Sequence, residues 1–158
     1  RGEGLAVVLN VTENTTMPSL KRFIKNGIIR IKKEESFAQE MANMLNTKTP
    51  SMRTKVATLS GGNQQKIAIA KWLGAKSDIL IFDEPTRGID VGAKAEIYKL
   101  MDELTGDGKS IVMISSELPE ILAMSDRLLV LRDGKIAAEL NSVEKLCEED
   151  VVCHAIKT

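Results

Sequence analysis

The run Ile79–Phe82 (ILIF), followed at once by Asp83-Glu84, constrains the fold more than any other segment. An unbroken apolar run of strand length ending in acid fits a parallel strand buried on both faces. Ser110–Ile114 reads as a second buried strand. Between them, Asp90 can cap a helix through Leu104, and Gly106 to Gly108 end it. Glu117–Met124 reads as a short helix whose Pro119 is tolerable only in the first turn. Arg127–Arg132 and Lys135–Leu140 flank Asp133-Gly134, a strong hairpin signal. Asn141 with Glu144 three residues on resembles a capping box that opens a final helix. Strands alternating with helices argue for an α/β sheet.

The first third has a helical character of its own. Gly4–Leu9 is a short apolar run, read as a strand or its remnant. Val11–Phe23 reads as a helix or turn region, and Phe37, Met41, Met44 and Leu45 lie at helical spacing within Glu34–Leu45. Asn46–Thr58 is polar, contains Pro50 and reads as a loop. Ser60 can cap a helix to about Leu73 that carries Ile67, Ala70 and Leu73 on one face.

The chain has 158 residues, 43% hydrophobic and 28% charged, enough for a real core. Acids and bases balance at 22 each, which argues against a nucleic-acid partner held by bulk positive charge. No apolar run reaches transmembrane length and no signal peptide is visible. Cys147 and Cys153 lack metal-ligand or CxxC spacing and read as two reduced cytosolic thiols. His154, the only histidine, reads as a surface residue near a frayed end. The chain opens Arg-Gly-Glu-Gly without an initiator methionine, as a piece of something longer would.

Two motifs carry chemistry. Leu59–Lys66 reads LSGGNQQK. Two glycines after a capping serine let backbone N–H groups approach a ligand, and they feed a helix start that carries partial positive charge. That is an anion site suited to phosphate, although an ordinary helix cap with a tight turn has the same first residues. The second motif is Ile79–Asp90, ILIFDEPTRGID. Groups at the carboxyl end of a parallel strand face the ligand crevice of an open α/β sheet. There Asp83 can hold Mg²⁺, directly or through water, while strand alternation aims Glu84 elsewhere to orient or deprotonate a water. Gly108-Lys109-Ser110 matches the end of a phosphate-binding loop, but position 103 is Glu103 rather than glycine. The segment also leaves a helix and enters a strand, the reverse of such a loop, so it reads as a turn.

Leu59–Lys66 followed by Ile79–Asp90 resembles the signature sequence, Walker B strand and D-loop of ABC transporter ATPases, in their order and near their spacing. More narrowly, NQQK after the signature, TRGIDVGAK after Walker B and SSELPEIL near the third strand resemble the second cassette of tandem-cassette sugar importers of the ribose, galactose and xylose type. TMPSL and VTEN agree with that family's helical subdomain. No segment of the 158 residues resembles the Walker A loop. The resemblance implies an α/β fold, a partial P-loop NTPase core with a helical signature subdomain. It divides the chain into a helical subdomain with a remnant core strand (1–75) and the C-terminal half of the ATPase core (76–158). It also implies two ATP molecules sandwiched between head-to-tail cassettes. Carried onto this chain, Asp83 is the Mg²⁺-linked carboxylate and Glu84 the general base of this cassette's own site. Ser60, Gly61, Gly62 and Asn63 contact the ATP of the partner cassette, and Arg87, Gly88 and Asp90 belong to the D-loop. The implied cofactors are ATP and Mg²⁺. The implied partners are an N-terminal cassette or second ABC subunit, a transmembrane permease and, indirectly, an extracytoplasmic sugar-binding protein, with no nucleic acid. The implied location is peripheral, on the cytoplasmic face of the plasma (inner) membrane.

Two departures follow. ABC ATPases usually place a γ-phosphate-contacting histidine after the third strand, and aligning VMISSEL puts Ser116 there. A hydroxyl can donate a hydrogen bond but brings no titrating imidazole. The glutamine-bearing loop that senses the permease would fall before residue 1. Because the Walker A loop is missing, the isolated chain is expected to be inactive and the full-length parent to be an ATPase. A non-catalytic partner cassette that donates LSGG is the alternative, favoured by Ser116 and opposed by an intact Glu84. A soluble ABC ATPase of DNA repair or translation would bring a coiled-coil insertion or basic arms, and neither is visible.

Overall fold

Asn10 starts the first helix by reciprocal capping. Its side chain accepts from Glu13 N at 2.9 Å, and the Glu13 carboxylate accepts from Asn10 N at 2.8 Å. The computed structural model describes residues 4–141, 143 and 146–156. In chain order they form α1 (Val11–Thr16), a 3₁₀ segment (Met17–Phe23), β1 (Ile24–Lys25), β2 (Ile28–Ile29), α2 (Ile31–Met44) and a 3₁₀ turn (Val56–Thr58). Then come α3 (Gly61–Leu73), β3 (Ile79–Asp83), α4 (Val91–Gly106), β4 (Ser110–Ile114), α5 (Leu118–Met124), β5 (Arg127–Arg132), β6 (Lys135–Asn141) and α6 (Glu148–Ala155). The chain separates into two units, Arg1–Leu80 with Thr86–Val112, and Ile81–Pro85 with Met113–Thr158.

In the first unit, Val11, Ala38, Ala42, Met52, Val56 and Ile67 form a buried cluster. They come from α1, α2, α3 and the segment before α3, so the helices share one apolar centre. The short α1 is buried although its sequence, VTENTT, is polar. It tolerates this because its polar groups are bonded. The Thr15 hydroxyl donates to Val11 O at 2.8 Å, and the Thr16 hydroxyl lies 2.7 Å from the buried Glu34 carboxylate. Asn14 Nδ2 donates to Ala6 O and Asn10 O, and Ala6 N donates back to Asn14 Oδ1.

That asparagine explains a correction. Gly4–Leu9 is not a strand. Its backbone is paired by the Asn14 side chain and by Val56 N and Ala57 N, which donate to Leu9 O and Val7 O. The segment's polar groups are satisfied without a sheet.

α4 follows the expected cap. Asp90 accepts from Ala93 N at 2.9 Å. Ile97, Leu100, Met101 and Leu104 are buried at the spacing of one helical face. Gly108, at φ +82°, ends the turn after α4. Lys109 Nζ meets Asp78 Oδ1 at 2.9 Å, and this contact holds the Asp78 carboxyl below its ordinary range. Gly108-Lys109-Ser110 is thus a turn, as the sequence indicates.

β3 and β4 form a two-stranded sheet. Ser110 N donates to Asp78 O and Glu84 N to Ile114 O, so both strands advance in the same direction. The expectation of strands buried on both faces is corrected. Leu80 and Phe82 are buried, but Ile79 is 64% and Ile81 72% exposed, and β4 likewise shows Val112 and Ile114. Among the described residues this sheet has two strands, and one face of it is uncovered.

In the second unit, β5 and β6 pair antiparallel from Arg127↔Asn141 to Arg132↔Lys135. Asp133 and Gly134, at φ +52° and +73°, make the two-residue turn that DG indicates. Asn141 ends β6, and α6 begins at Glu148. Its cap comes from Cys147 and Asp150, because the Cys147 amide donates to Asp150 Oδ2 at 2.8 Å. The expected Asn141–Glu144 capping box lies outside the described residues, since Glu144 is not among them. α5 has Pro119 in its first turn, as required. No helix of the described residues is long and apolar enough to cross a membrane.

Candidate functional site

Ser60 stands at the N-cap of α3, with φ −61° and ψ 156°, but makes no side-chain cap bond. Its hydroxyl instead accepts from Asn63 Nδ2 at 2.8 Å. The expected Ser60 cap is thus right in position and wrong in bonding. The hydroxyl satisfies none of the first-turn N–H groups, and those groups carry the helix's partial positive charge.

The first turns of α3 are held from three sides. Asn63 Oδ1 accepts from Lys48 N at 2.8 Å. Gln64 Nε2 donates to Val56 O and Leu59 O, closing the loop that enters the helix. Lys66 is 7% exposed and places its ammonium 3.1 Å from Asn46 O and 2.6 Å from Glu96 Oε2 on α4. A recess of about 330 Å³ opens here, with Lys48, Ser60, Asn63, Asp90, Gly92 and Glu96 among its walls. The structure therefore brings Ser60, Gly62, Asn63 and Asp90 to one recess. Lys48, Lys66 and Glu96 were not among the candidates. Lys66 had a signal, its place at the end of LSGGNQQK, whereas Lys48 and Glu96 had none, because only folding brings them there.

Gly62 has a second duty. A Cβ built there would lie 2.8 Å from the Ala93 Cβ, closer than real side chains approach. Gly62 is needed for the α3–α4 contact whatever binds above it.

The Lys66 ammonium, by hydrogen bond and by charge, holds the Glu96 carboxyl below its ordinary 4.5. A depressed folded-state pKa contributes stability above the unfolded value, and that stability is lost as pH falls through the folded one. Glu96 is 56% exposed, so the contribution is that of a screened pair, about 1 kcal/mol or less. Glu96→Gln should lower stability by that amount near neutrality. The gap should narrow as pH falls below about 4.5 and close once pH passes below the depressed folded-state value, where native Glu96 is also neutral. Urea titrations of both proteins across a pH series measure it. A gap that persisted at acid pH would rule out the ion pair as its source.

In the second unit, Glu84 N donates to Ile114 O at 2.8 Å, which sets the ends of β3 and β4 side by side. Asp83 is exposed at the end of β3. Glu84 lies beyond the strand at φ +48°, a left-handed backbone uncommon for a side-chain-bearing residue. The expectation that strand alternation aims Glu84 is corrected: the residue lies past the strand, and its left-handed backbone sets its direction. Ser116 is exposed just past β4. The neighbouring Ser115 shapes that turn, donating to the buried Glu120 carboxylate and accepting from Glu117 N. Arg87 is exposed and Gly88 takes φ +72° in the turn after Pro85. Asp90 spends its carboxylate on the α4 cap.

Cys147 and Cys153 are free and exposed. The Asp150 carboxylate beside the Cys147 thiol, with Glu149, pushes that thiol's pKa up, away from reactivity. Among the described residues no three His, Cys, Asp or Glu side chains converge on a metal-sized site.

The chain matches the family model described as ABC transporter over residues 4–87, more than half its length. It is 48% identical to Ribose import ATP-binding protein RbsA 3 of Rubrobacter xylanophilus, with 98% of this chain and 31% of that protein aligned. It is also 48% identical to Ribose import ATP-binding protein RbsA of Bacillus cereus, over 91% of this chain and 29% of that protein. The chain thus spans about 30% of the length of these curated relatives. Among solved structures, it resembles the ATP-binding cassette MJ0796, a dimer in a post-hydrolysis state bound to ADP and Pi. That match has a TM-score of 0.71 and 27% identity, over 87% of this chain and 58% of the other. It also shares its fold with MJ1267, an ATP-binding cassette of an ABC transporter, at TM-score 0.76 and 24% identity over 94% of this chain and 63% of the other. The described architecture is that of an ATP-binding cassette, and the chain belongs to the ABC transporter family.

Proposed function

We propose that this chain is part of the second cassette of a tandem-cassette importer for ribose-class sugars, coupling ATP hydrolysis to transport. The observation that carries the reading is the start of α3. There the Ser60 oxygen turns to Asn63, and first-turn N–H groups stand beside a polar recess. Such a helix start is suited to a phosphate group. In this reading Ser60, Gly61, Gly62 and Asn63 meet the γ-phosphate of an ATP held by the partner cassette. Arg87, Gly88 and Asp90 form the D-loop at the cassette interface. The substrate class is drawn from the relatives named as ribose import ATP-binding proteins. The partners are the other cassette, a permease and a sugar-binding protein, and the location is the cytoplasmic face of the membrane.

Asp83 and Glu84 serve this cassette's own ATP. The metal of this reading is Mg²⁺. That ion is held by one or two carboxylates together with substrate phosphates and waters. Asp83, exposed at a strand end, is the carboxylate that would take it. The ion would supply charge neutralisation on the phosphates. Glu84 would orient the attacking water and take its proton. Ser116, where a histidine is usual, favours a second reading in which this cassette mainly donates its signature to the other site.

ATP-dependent uptake of labelled ribose, galactose and xylose tests the proposal, in vesicles carrying the full-length parent and its permease. Uptake of none of them would sink it. The 158-residue chain alone should not bind Mg-ATP in the micromolar range. Its sequence contains no segment that resembles a Walker A loop, whose backbone N–H groups and lysine hold the β- and γ-phosphates. Calorimetry measures this, and micromolar binding with turnover would overturn the assignment of residues.

A further inference from the structure

The chain is electrically neutral, but its charge is not evenly spread. Six of its 22 cations lie between Lys21 and Lys33, and no acid occurs from Asn14 to Lys33. The rest of the chain holds 16 cations against 22 acids. The basic segment includes the β1–β2 hairpin, which turns at Asn26 and Gly27 with φ +53° and +78°. Ile24 faces Ile29 across it and Lys25 faces Ile28. Ile28 is 71% and Ile31 63% exposed.

Nearby acids do not neutralise this segment. Glu34 is buried against Thr16, and Glu35 is paired with Arg53 at 3.0 Å. Of the six cations only Arg22 is committed to the fold, donating to Gly74 O and lying 4.9 Å over the Phe37 ring. Lys32 and Lys33 occupy the first turn of α2, where the helix dipole disfavours positive charge, and Arg30 gives that helix no side-chain cap. Ile28 and Ile31 lie largely outside the unit's packing.

We propose that the hairpin and the start of α2 dock on an anionic lipid bilayer, with Lys25, Lys32 and Lys33 at the headgroups and Ile28 and Ile31 entering the interface. Cations beside exposed apolar side chains are the pattern of peripheral membrane contact, where charge and apolar burial add. The pattern fits nucleic acid less well, since that partner calls for aromatic stacking and Phe23 is buried. The proposal does not depend on the transport reading, because the surface belongs to this chain alone.

The test is co-sedimentation of the 158-residue chain with mixed phosphatidylcholine–phosphatidylglycerol vesicles and with pure phosphatidylcholine vesicles. Binding is expected only to the mixed vesicles and should weaken as salt is raised. Each neutralised lysine should cost about fivefold, so Lys25→Gln with Lys32→Gln should lose about twenty-five-fold. Ile28→Ser should weaken the binding that survives high salt. All three positions are exposed, and circular dichroism checks that the variants keep the wild-type fold. Equal binding to both vesicle types, no binding to either, or full retention in the double variant would overturn the proposal. So would a single-stranded oligonucleotide that binds the same lysines while the vesicles do not.

Discussion

In the full-length parent, Gly62→Asp should lower ATP turnover about a hundredfold or more and should also loosen the contact between α3 and α4. The first effect follows from the proposed composite site. A carboxylate at the start of α3 would occupy the phosphate approach and repel the substrate, removing preorganised donors of the kind worth 10²–10³ in rate. The second effect is steric. A Cβ at position 62 would meet the Ala93 Cβ at 2.8 Å, and overpacking of this kind costs about 1–3 kcal/mol. An acid in the first turn of a helix returns only about 0.3–1 kcal/mol through the dipole. The two effects separate by substitution. Gly62→Ala carries the clash without the charge, and Ala93→Gly relieves the clash at a cost of about 1 kcal/mol in helix propensity. Gly62→Asp with Ala93→Gly should therefore recover much of the stability and none of the turnover. Denaturant melts and steady-state ATPase assays read the two quantities. Recovery of turnover in the double variant would reduce Gly62 to a packing residue, and unchanged turnover in Gly62→Asp would remove the composite site altogether.

The elements that the sequence made legible are those governed by local chemistry. The α4 start follows from Asp90, the β5–β6 turn from Asp133-Gly134, and the α5 start from Pro119. Each depends on neighbours within four residues. The Gly4–Leu9 reading fails for the opposite reason. Its apolar run is short, and its backbone is claimed by Asn14, whose buried side chain has no outward sign in the sequence. The buried-strand reading of ILIF fails in part because burial depends on what covers a face, which the strand's own residues do not state. The candidate site divides in the same way. LSGGNQQK and DEPTRGID mark the positions, whereas the bond from Lys66 to Glu96 and the Gly62–Ala93 approach arise from tertiary packing. Even the correct cap position at Ser60 concealed a hydroxyl turned toward Asn63.

In the same full-length parent, Glu84→Gln should cost far less turnover than the matching change in the other cassette. Loss of a general base typically costs about 10²–10⁴-fold, and that is the gap expected between the two single variants. Glu84 adopts φ +48°, a conformation a side-chain-bearing residue holds at a cost, and strain of this kind gathers at functional positions. The Glu84 amide donates to Ile114 O, which fixes the backbone at this residue beside the end of β4. Two residues past β4 stands Ser116, exposed, where a γ-phosphate-contacting histidine is expected. In the proposed reading, a site without that contact carries a small share of the turnover, so removing its base should remove little. Glutamine keeps the shape and the backbone, and Asp83 keeps its place for Mg²⁺, so nucleotide binding should survive. Side-by-side ATPase measurements of the two variants decide the matter, with nucleotide binding measured on each. If Glu84→Gln alone abolishes turnover as completely as the other change, both sites must fire together and the unequal-site reading fails. If Ser116→His in the Glu84-bearing parent raises turnover, the missing contact is the reason this site is slow.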